Sequence, residues 1–259
     1  MSIGLVLSGG GARGIGHLGV IKALEEAGIT PDIISGTSAG SITGAMYAYG
    51  YSPEEILDIV TKTKLLTALR PALSFTGFLK IDMLGEVLTK YLKPDNFSAL
   101  KIPLVVAATD IEKGETTYFE AGELIRPILA SSCVPVFFAP VKFNGSIYVD
   151  GGILDNLPAS VLLDRCDYII GSHTNYINNS FEARNLKLMT ERSLLLAING
   201  NTIKSKEFCD LIIEPPELGD YGGFELNKAR EMFDVSYKYT KKLLHEQNTG
   251  LPAQVKIKA

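Results

Sequence analysis

Apolar runs and amphipathic stretches alternate along the chain. Strand-like runs occupy residues 3–8, 31–35, 103–109, 115–120, 146–149, 167–172 and 211–214. Between them, helical spacing of apolar positions predicts helices over 15–27, 40–50, 53–61, 81–92, 122–132, 155–163, 185–207 and 225–246. This alternation predicts an α/β fold of three layers, α/β/α, around a mostly parallel central sheet. The run Pro103-Leu104-Val105-Val106-Ala107-Ala108-Thr109 is nearly all apolar, as a central parallel strand buried on both faces would be. Neither an internal repeat nor a low-complexity linker interrupts the pattern. Two segments stand apart. Residues 62–80 carry Leu65, Leu66, Leu69, Leu73, Phe75, Phe78 and Leu79, broken by Pro71 and Gly77. They read as a greasy loop, either a cap beside a site or a packed connector. Residues 174–182 are polar and predict a mobile loop beside the site.

A length of 259 residues with 46% apolar content is enough for one α/β domain with a sizeable core. The single-domain reading takes in 1–259, with a C-terminal helical part at 183–250. Net charge is −4, and no basic block stands out. Nucleic acid is therefore not an expected partner, nor is strong nonspecific attraction to anionic membranes. No apolar run reaches the roughly 20 residues of a membrane span. The start of the chain lacks the basic n-region of a signal peptide. Cys133, Cys166 and Cys209 are odd in number and far apart, which predicts reduced thiols and no zinc site. A cytoplasmic location is expected, peripheral to membranes at most.

Three motifs carry the chemistry. The first is Gly36-Thr37-Ser38-Ala39-Gly40, which follows the run 31–35 and leads into the helix predicted over 40–50. In a strand–turn–helix setting, G-x-S-x-G makes the serine hydroxyl stand proud of the sheet edge. The second is Gly9-Gly10-Gly11-Ala12-Arg13-Gly14, between the first strand and the first helix. The N–H groups of Gly10, Gly11, Ala12 and Arg13 can face an anion there, a phosphate or the oxyanion of acyl transfer. The third is Asp150-Gly151-Gly152, a carboxylate at a strand end before two glycines that let the chain turn away. A serine needs a base, imidazole or carboxylate. The three histidines are His17, His173 and His245. His173 ends a strand near the carboxyl edge of the sheet. His17 lies four residues after Arg13 and fits a supporting role for the glycine loop. His245 falls in a charged helix.

These motifs, in this order, strongly resemble the patatin-like phospholipase family. The matches are G-G-G-x-R-G at 9–14, G-T-S-A-G at 36–40 and D-G-G at 150–152. The stretch from Ala130 to Val141 is similar to the one before the family's aspartate, and the resemblance extends over about residues 3 to 175. It implies a patatin-like fold and a lipid acyl hydrolase of phospholipase A or lysophospholipase type. It also implies a Ser38–Asp150 dyad without a catalytic histidine, cofactor or metal. Gly36 and Gly40 frame the nucleophile, and Gly151 and Gly152 follow the acid. The oxyanion hole falls within Gly9, Gly10, Gly11, Ala12 and Arg13: Gly10 and Gly11 are the favoured donors, Gly9 shapes the turn, and Arg13 anchors the loop or meets a phosphate head group. The implied partner is a lipid or lysophospholipid, reached through transient contact with a membrane surface. Segment 62–80 would then border an apolar groove leading to Ser38.

Three rival readings remain. Gly9, Gly11 and Gly14 also fit the G-x-G-x-x-G of an NAD(P)-binding oxidoreductase. Asp32 would be its acid, but it begins the second strand, whereas that role calls for a strand end. A lipid-binding protein with an inactive site is the second rival. The third is an α/β-hydrolase with a late histidine.

Overall fold

The computed structural model describes residues 1–63, 81–179 and 186–247. In chain order the strands are β1 (Ile3–Leu7), β2 (Ile33–Thr37), β3 (Leu104–Asp110), β4 (Glu115–Phe119), β5 (Val141–Phe143), β6 (Ser146–Asp150), β7 (Tyr168–Ser172) and β8 (Leu211–Ile213). The helices are α1 (Gly16–Glu26), α2 (Ala39–Tyr49), α3 (Pro53–Lys62), α4 (Asp82–Tyr91), α5 (Ile125–Ser131), α6 (Leu186–Lys206) and α7 (Ala229–Gln247). One sheet runs β5-β6-β3-β2-β1-β7-β8, with β4 paired to β3. The pairings among β3, β2, β1, β7 and β8 are parallel. Those of β4, β5 and β6 are antiparallel. The expected α/β architecture is present, as a mixed sheet that is mostly parallel.

Alternation along the strands divides the core. Leu5, Leu7, Ile34, Leu104 and Val106 pack on one face, in a cluster that also holds Leu18 and Ile21 of α1, Met46 of α2 and Phe233 of α7. Val6, Ile33, Val105 and Ile169 face the other way, against Leu157, Ala159 and Leu162. Burial on both faces is why these strands read as continuous apolar runs. Helix α7 lies along α1, and Gly19 permits the approach: a Cβ there would press on the Phe233 carbonyl and sit 2.7 Å from the Tyr237 nitrogen. Helix α3 starts as its sequence dictates. The Glu55 amide donates to the Ser52 hydroxyl, the Ser52 amide donates to the Glu55 carboxylate, and Pro53 takes the first position.

Two readings need correction. Residues 155–163 were expected to be helical but form only a 3-10 turn, Ser160–Leu162. Long-range bonds claim the preceding backbone: the Asp155 carbonyl accepts from the Thr37 hydroxyl, and the Asn156 carbonyl accepts from the Gly9 amide. Strand β5 has three residues, too short to leave a periodic signal. Of segment 62–80, all but its first two residues lie outside the described residues, as do residues 180–182 of the polar loop.

Candidate active site

Strand β3 sets the site's geometry. Its residues Val106 and Ala107 pair with Gly36 and Thr37 of β2 and also with Phe119 and Tyr118 of β4. Those two partners must occupy opposite edges. Farther along, Ala108 to Asp110 pair with both β4 and β6. Strand β6 therefore takes over the edge that β2 leaves. Thr37 stands opposite Ala107, and Asp150, at the end of the oncoming β6, stands opposite Ala108. The two strands meet head to head, which brings Ser38 and Asp150 together from positions far apart in sequence.

Ser38 has φ 52° and ψ −122°, between β2 and α2. For a non-glycine residue this conformation costs about 1–3 kcal/mol and persists only where the surroundings enforce it. Ser131 does so on one side. Its Oγ accepts from the Ser38 amide (2.8 Å) and donates to the Ala107 carbonyl (2.6 Å). On the other side, the Ser38 carbonyl accepts from the Ser41 hydroxyl and from the amides of Ser41 and Ile42. Close approach does the rest: a Cβ on Gly36 would sit 2.7 Å from the Gly40 carbonyl, and one on Gly40 would overlap the Leu7 carbonyl.

Asp150 is buried. Its Oδ1 accepts from the Gly152 amide at 2.8 Å, while Oδ2 is buried without a hydrogen-bond partner among the described residues. Burial pushes its pKa up to about 6, opposed by the Ser38 hydroxyl and the Gly152 amide. Ser38 is thus near enough to act on the carboxyl, yet no closed hydrogen bond joins them. Catalytic pairs often tighten only around substrate. A serine beside a desolvated carboxylate can lose its proton as it attacks, since burial makes the carboxylate a stronger base.

The glycine loop lies against the same point. Among its five candidate amides, three already have carbonyl acceptors: Gly9 donates to Asn156, Ala12 to Gly223 and Arg13 to Gly10. The amides of Gly10 and Gly11 have no acceptor among the described residues. Gly11 has φ +57°, and a Cβ there would fall 2.5 Å from the Gly223 carbonyl. Arg13 is buried, and its Nε donates to the Tyr221 carbonyl at 2.6 Å. Burial lowers its pKa, with Glu191 acting in the opposite sense.

Sequence reading missed the polar residues that brace this loop. Asn175 donates from Nδ2 to the Gly9 carbonyl. Asn201, on α6, donates to the carbonyls of Gly152 and Ile153 and accepts from the Asn156 amide. At the start of the polar segment, Thr174 and Asn175 are buried against the glycine loop, whereas Asn179 is exposed.

Ser38, Asp150, Gly10 and Gly11 open onto a cavity of about 220 Å³. Its described walls are apolar and come from several helices, with Leu18, Ile42, Ile56, Leu84, Leu194 and Ile198 among them. Val60 and Ile81, on either side of segment 64–80, also line it. The histidines do not. His17 is buried and bridges the Ser172 hydroxyl and the Ser8 carbonyl. Burial pulls its pKa down to about 4, so it is neutral and donates to Ser8. It steadies the strand end from which the glycine loop departs. His173 meets Glu214, which also accepts from Lys206. His245 is exposed. Asp32 lies at the far end of β2 from the glycine loop and accepts from the Ile3 amide, which removes it from a dinucleotide site. Among the described residues no group of His, Cys, Asp and Glu could hold a metal ion, and no helix is long and apolar enough to cross a membrane. The three cysteines are free.

Comparison with known proteins gives a consistent picture. The family model described as patatin-like phospholipase matches residues 5–163. An uncharacterized NTE family protein of Mycobacterium tuberculosis is 35% identical over 158 residues, 60% of this chain and 44% of that protein. The lysophospholipase nte1 of Aspergillus fumigatus is 28% identical over 296 residues, 99% of this chain and 19% of its own length. The chain thus spans less than half the length of these curated relatives. Among solved structures, VipD from Legionella pneumophila superposes with a TM-score of 0.63 at 19% identity, over 95% of this chain and 67% of VipD.

Proposed function

The chain belongs to the patatin-like phospholipase family, and from that premise we propose that it hydrolyses carboxylic esters of lipids through a Ser38–Asp150 dyad. The observation that carries the reading is the meeting of four groups at one end of an apolar cavity. They are a serine held in an unfavourable backbone conformation, a buried carboxylate with a free oxygen, and two unengaged amides.

In this reading the acyl chain occupies the cavity and the ester carbonyl lies over Ser38. Asp150 takes the serine proton as Oγ attacks, then passes it to the departing alcohol. A water replaces the alcohol and attacks the acyl carbon as Asp150 takes its proton, and that proton passes to the Ser38 oxygen as the fatty acid leaves. The amides of Gly10 and Gly11 receive the charge that develops on the carbonyl oxygen. Gly9 shapes the turn, and Arg13 ties it to the segment before α7. The closeness to proteins named lysophospholipase favours a lysophospholipid among lipid substrates. A panel of p-nitrophenyl esters, phospholipids and lysophospholipids, tried with wild type and Ser38→Ala, tests the assignment. Equal hydrolysis by both proteins would refute it.

The oxyanion role makes its own demand. Gly11→Ala should lower kcat by roughly 10²-fold or more, the scale of one lost donor. The added methyl would push against the Gly223 carbonyl and turn the amide away. Gly10→Ala should behave alike, because its methyl would run into the Thr174 hydroxyl. Folded variants that retain wild-type turnover would remove the loop from the chemistry.

A further inference from the structure

We propose that the outward face of α6 is a docking surface for a zwitterionic lipid bilayer. The proposal rests on the lipid-hydrolase reading for its biological sense, but its physical basis is separate. Helix α6 is apolar on two sides. Its inner side gives Leu194, Leu195 and Ile198 to the cavity, and Glu191 turns to accept from the Gly223 amide. Its outer side exposes Leu186 (82%), Met189 (46%), Leu196 (51%) and Ile203 (55%). These recur at intervals of three and seven residues, so they form one stripe. Among the described side chains, Lys204 is the one charge exposed on this helix. A helix facing water normally carries charged residues there.

A second feature points the same way. Val136 is 70% exposed and has φ 73°, a costly conformation for a β-branched residue. Its loop supplies Val134, Phe137 and Phe138 to the cavity wall. Phe137 packs on Phe224 with ring centroids 5.0 Å apart, and the neighbouring Gly223 is the residue that Glu191 of α6 holds. A strained loop and a greasy helix, joined through one contact chain, therefore present apolar side chains outside the same cavity.

The chemistry favours one occupant. Of the basic residues on the helix, Arg192 is engaged by the Asn178 carbonyl and Lys206 by Glu214, and the chain's net charge is −4, so electrostatic adsorption to an anionic surface has little to work with. An uncharged apolar stripe suits insertion at the boundary between head groups and acyl chains. A lipid leaving that boundary along α6 would reach the cavity without crossing water.

Flotation with phosphatidylcholine vesicles tests this without needing turnover. Ser38→Ala protein should float with the vesicles, and high salt should leave the floating fraction unchanged. Adding Leu196→Asp and Ile203→Asp should lower that fraction by at least roughly tenfold, given the apolar area withdrawn. In an otherwise wild-type background, the two substitutions should slow hydrolysis of long-chain lipid in vesicles while sparing a soluble short-chain ester. The proposal falls if the substituted protein floats like its parent, or if salt alone releases it. It also falls if light scattering shows a wild-type dimer that the substitutions dissociate, since a second copy would then own the stripe. Flotation without any ester hydrolysis would leave the surface standing and remove the catalytic reading.

Discussion

Ser38→Ala is expected to abolish ester hydrolysis, lowering kcat by roughly four orders of magnitude or more, the scale for losing a nucleophile that acts with its base as a unit. Labelling by a fluorophosphonate should vanish with it. The fold should be unaffected. The bonds that hold this residue come from its backbone, to Ser131, Ser41 and Ile42. Alanine keeps all of them and meets much the same strain at φ 52° as serine does. Circular dichroism and thermal unfolding should match wild type. Labelling at the wild-type rate in this variant would place the nucleophile elsewhere.

The second large effect concerns Asp150. Asp150→Asn should lower kcat by roughly 10²- to 10⁴-fold, the contribution of a positioned general base. It should also raise the thermal midpoint. Burial lifts this carboxyl's pKa from 3.8 to about 6. Between those values the folded protein binds more protons than the unfolded chain, so stability falls as pH rises through that window. At neutral pH the native state holds a disfavoured charge that costs on the order of 3 kcal/mol. Asparagine carries no charge and should recover part of that energy. In the wild type, activity should decline below about pH 6 as the base becomes protonated. His173→Ala, away from the cavity, should retain turnover. A folded His17 or His173 variant as inactive as Ser38→Ala would replace the dyad with a triad. An Asp150→Asn protein both active and no more stable than wild type would remove Asp150 from the role of base.

All strands but the short β5, most helices and the setting of Ser38 were legible because each depends on residues close in sequence. Burial on both faces writes an apolar run, and an elbow writes its glycines. The meeting of β2 and β6 was not legible. It depends on the register of two strands against β3, one parallel and one antiparallel, and no local pattern encodes that. The braces were hidden for a related reason. Ser131, Asn156, Asn175 and Asn201 are ordinary polar residues until the fold brings each to a particular carbonyl or amide. The same bonds explain the helix expected at 155–163, where tertiary partners for Asp155 and Asn156 outcompete local helical bonding. The resemblance already favoured Gly10 and Gly11 as donors; the fold supplies a physical reason, since Asn156 and Gly223 provide the carbonyls that engage Gly9 and Ala12.

The central position of β1 bears on how this protein can be cut. The family match ends at residue 163, before β7. Strand β1 lies between β2 and β7, with Ile3 to Leu7 paired along their whole length to Tyr168 to Ser172. A fragment ending at 163 would turn the middle of the sheet into a bare edge, offering its amides and carbonyls to any other chain. It would also leave α1 uncovered where Phe233 now lies. Such a fragment carries every motif by which the family is recognised, yet it should be recovered as aggregate, while the full chain stays in solution. The segment that carries the chemical signature would then be shorter than the segment that folds.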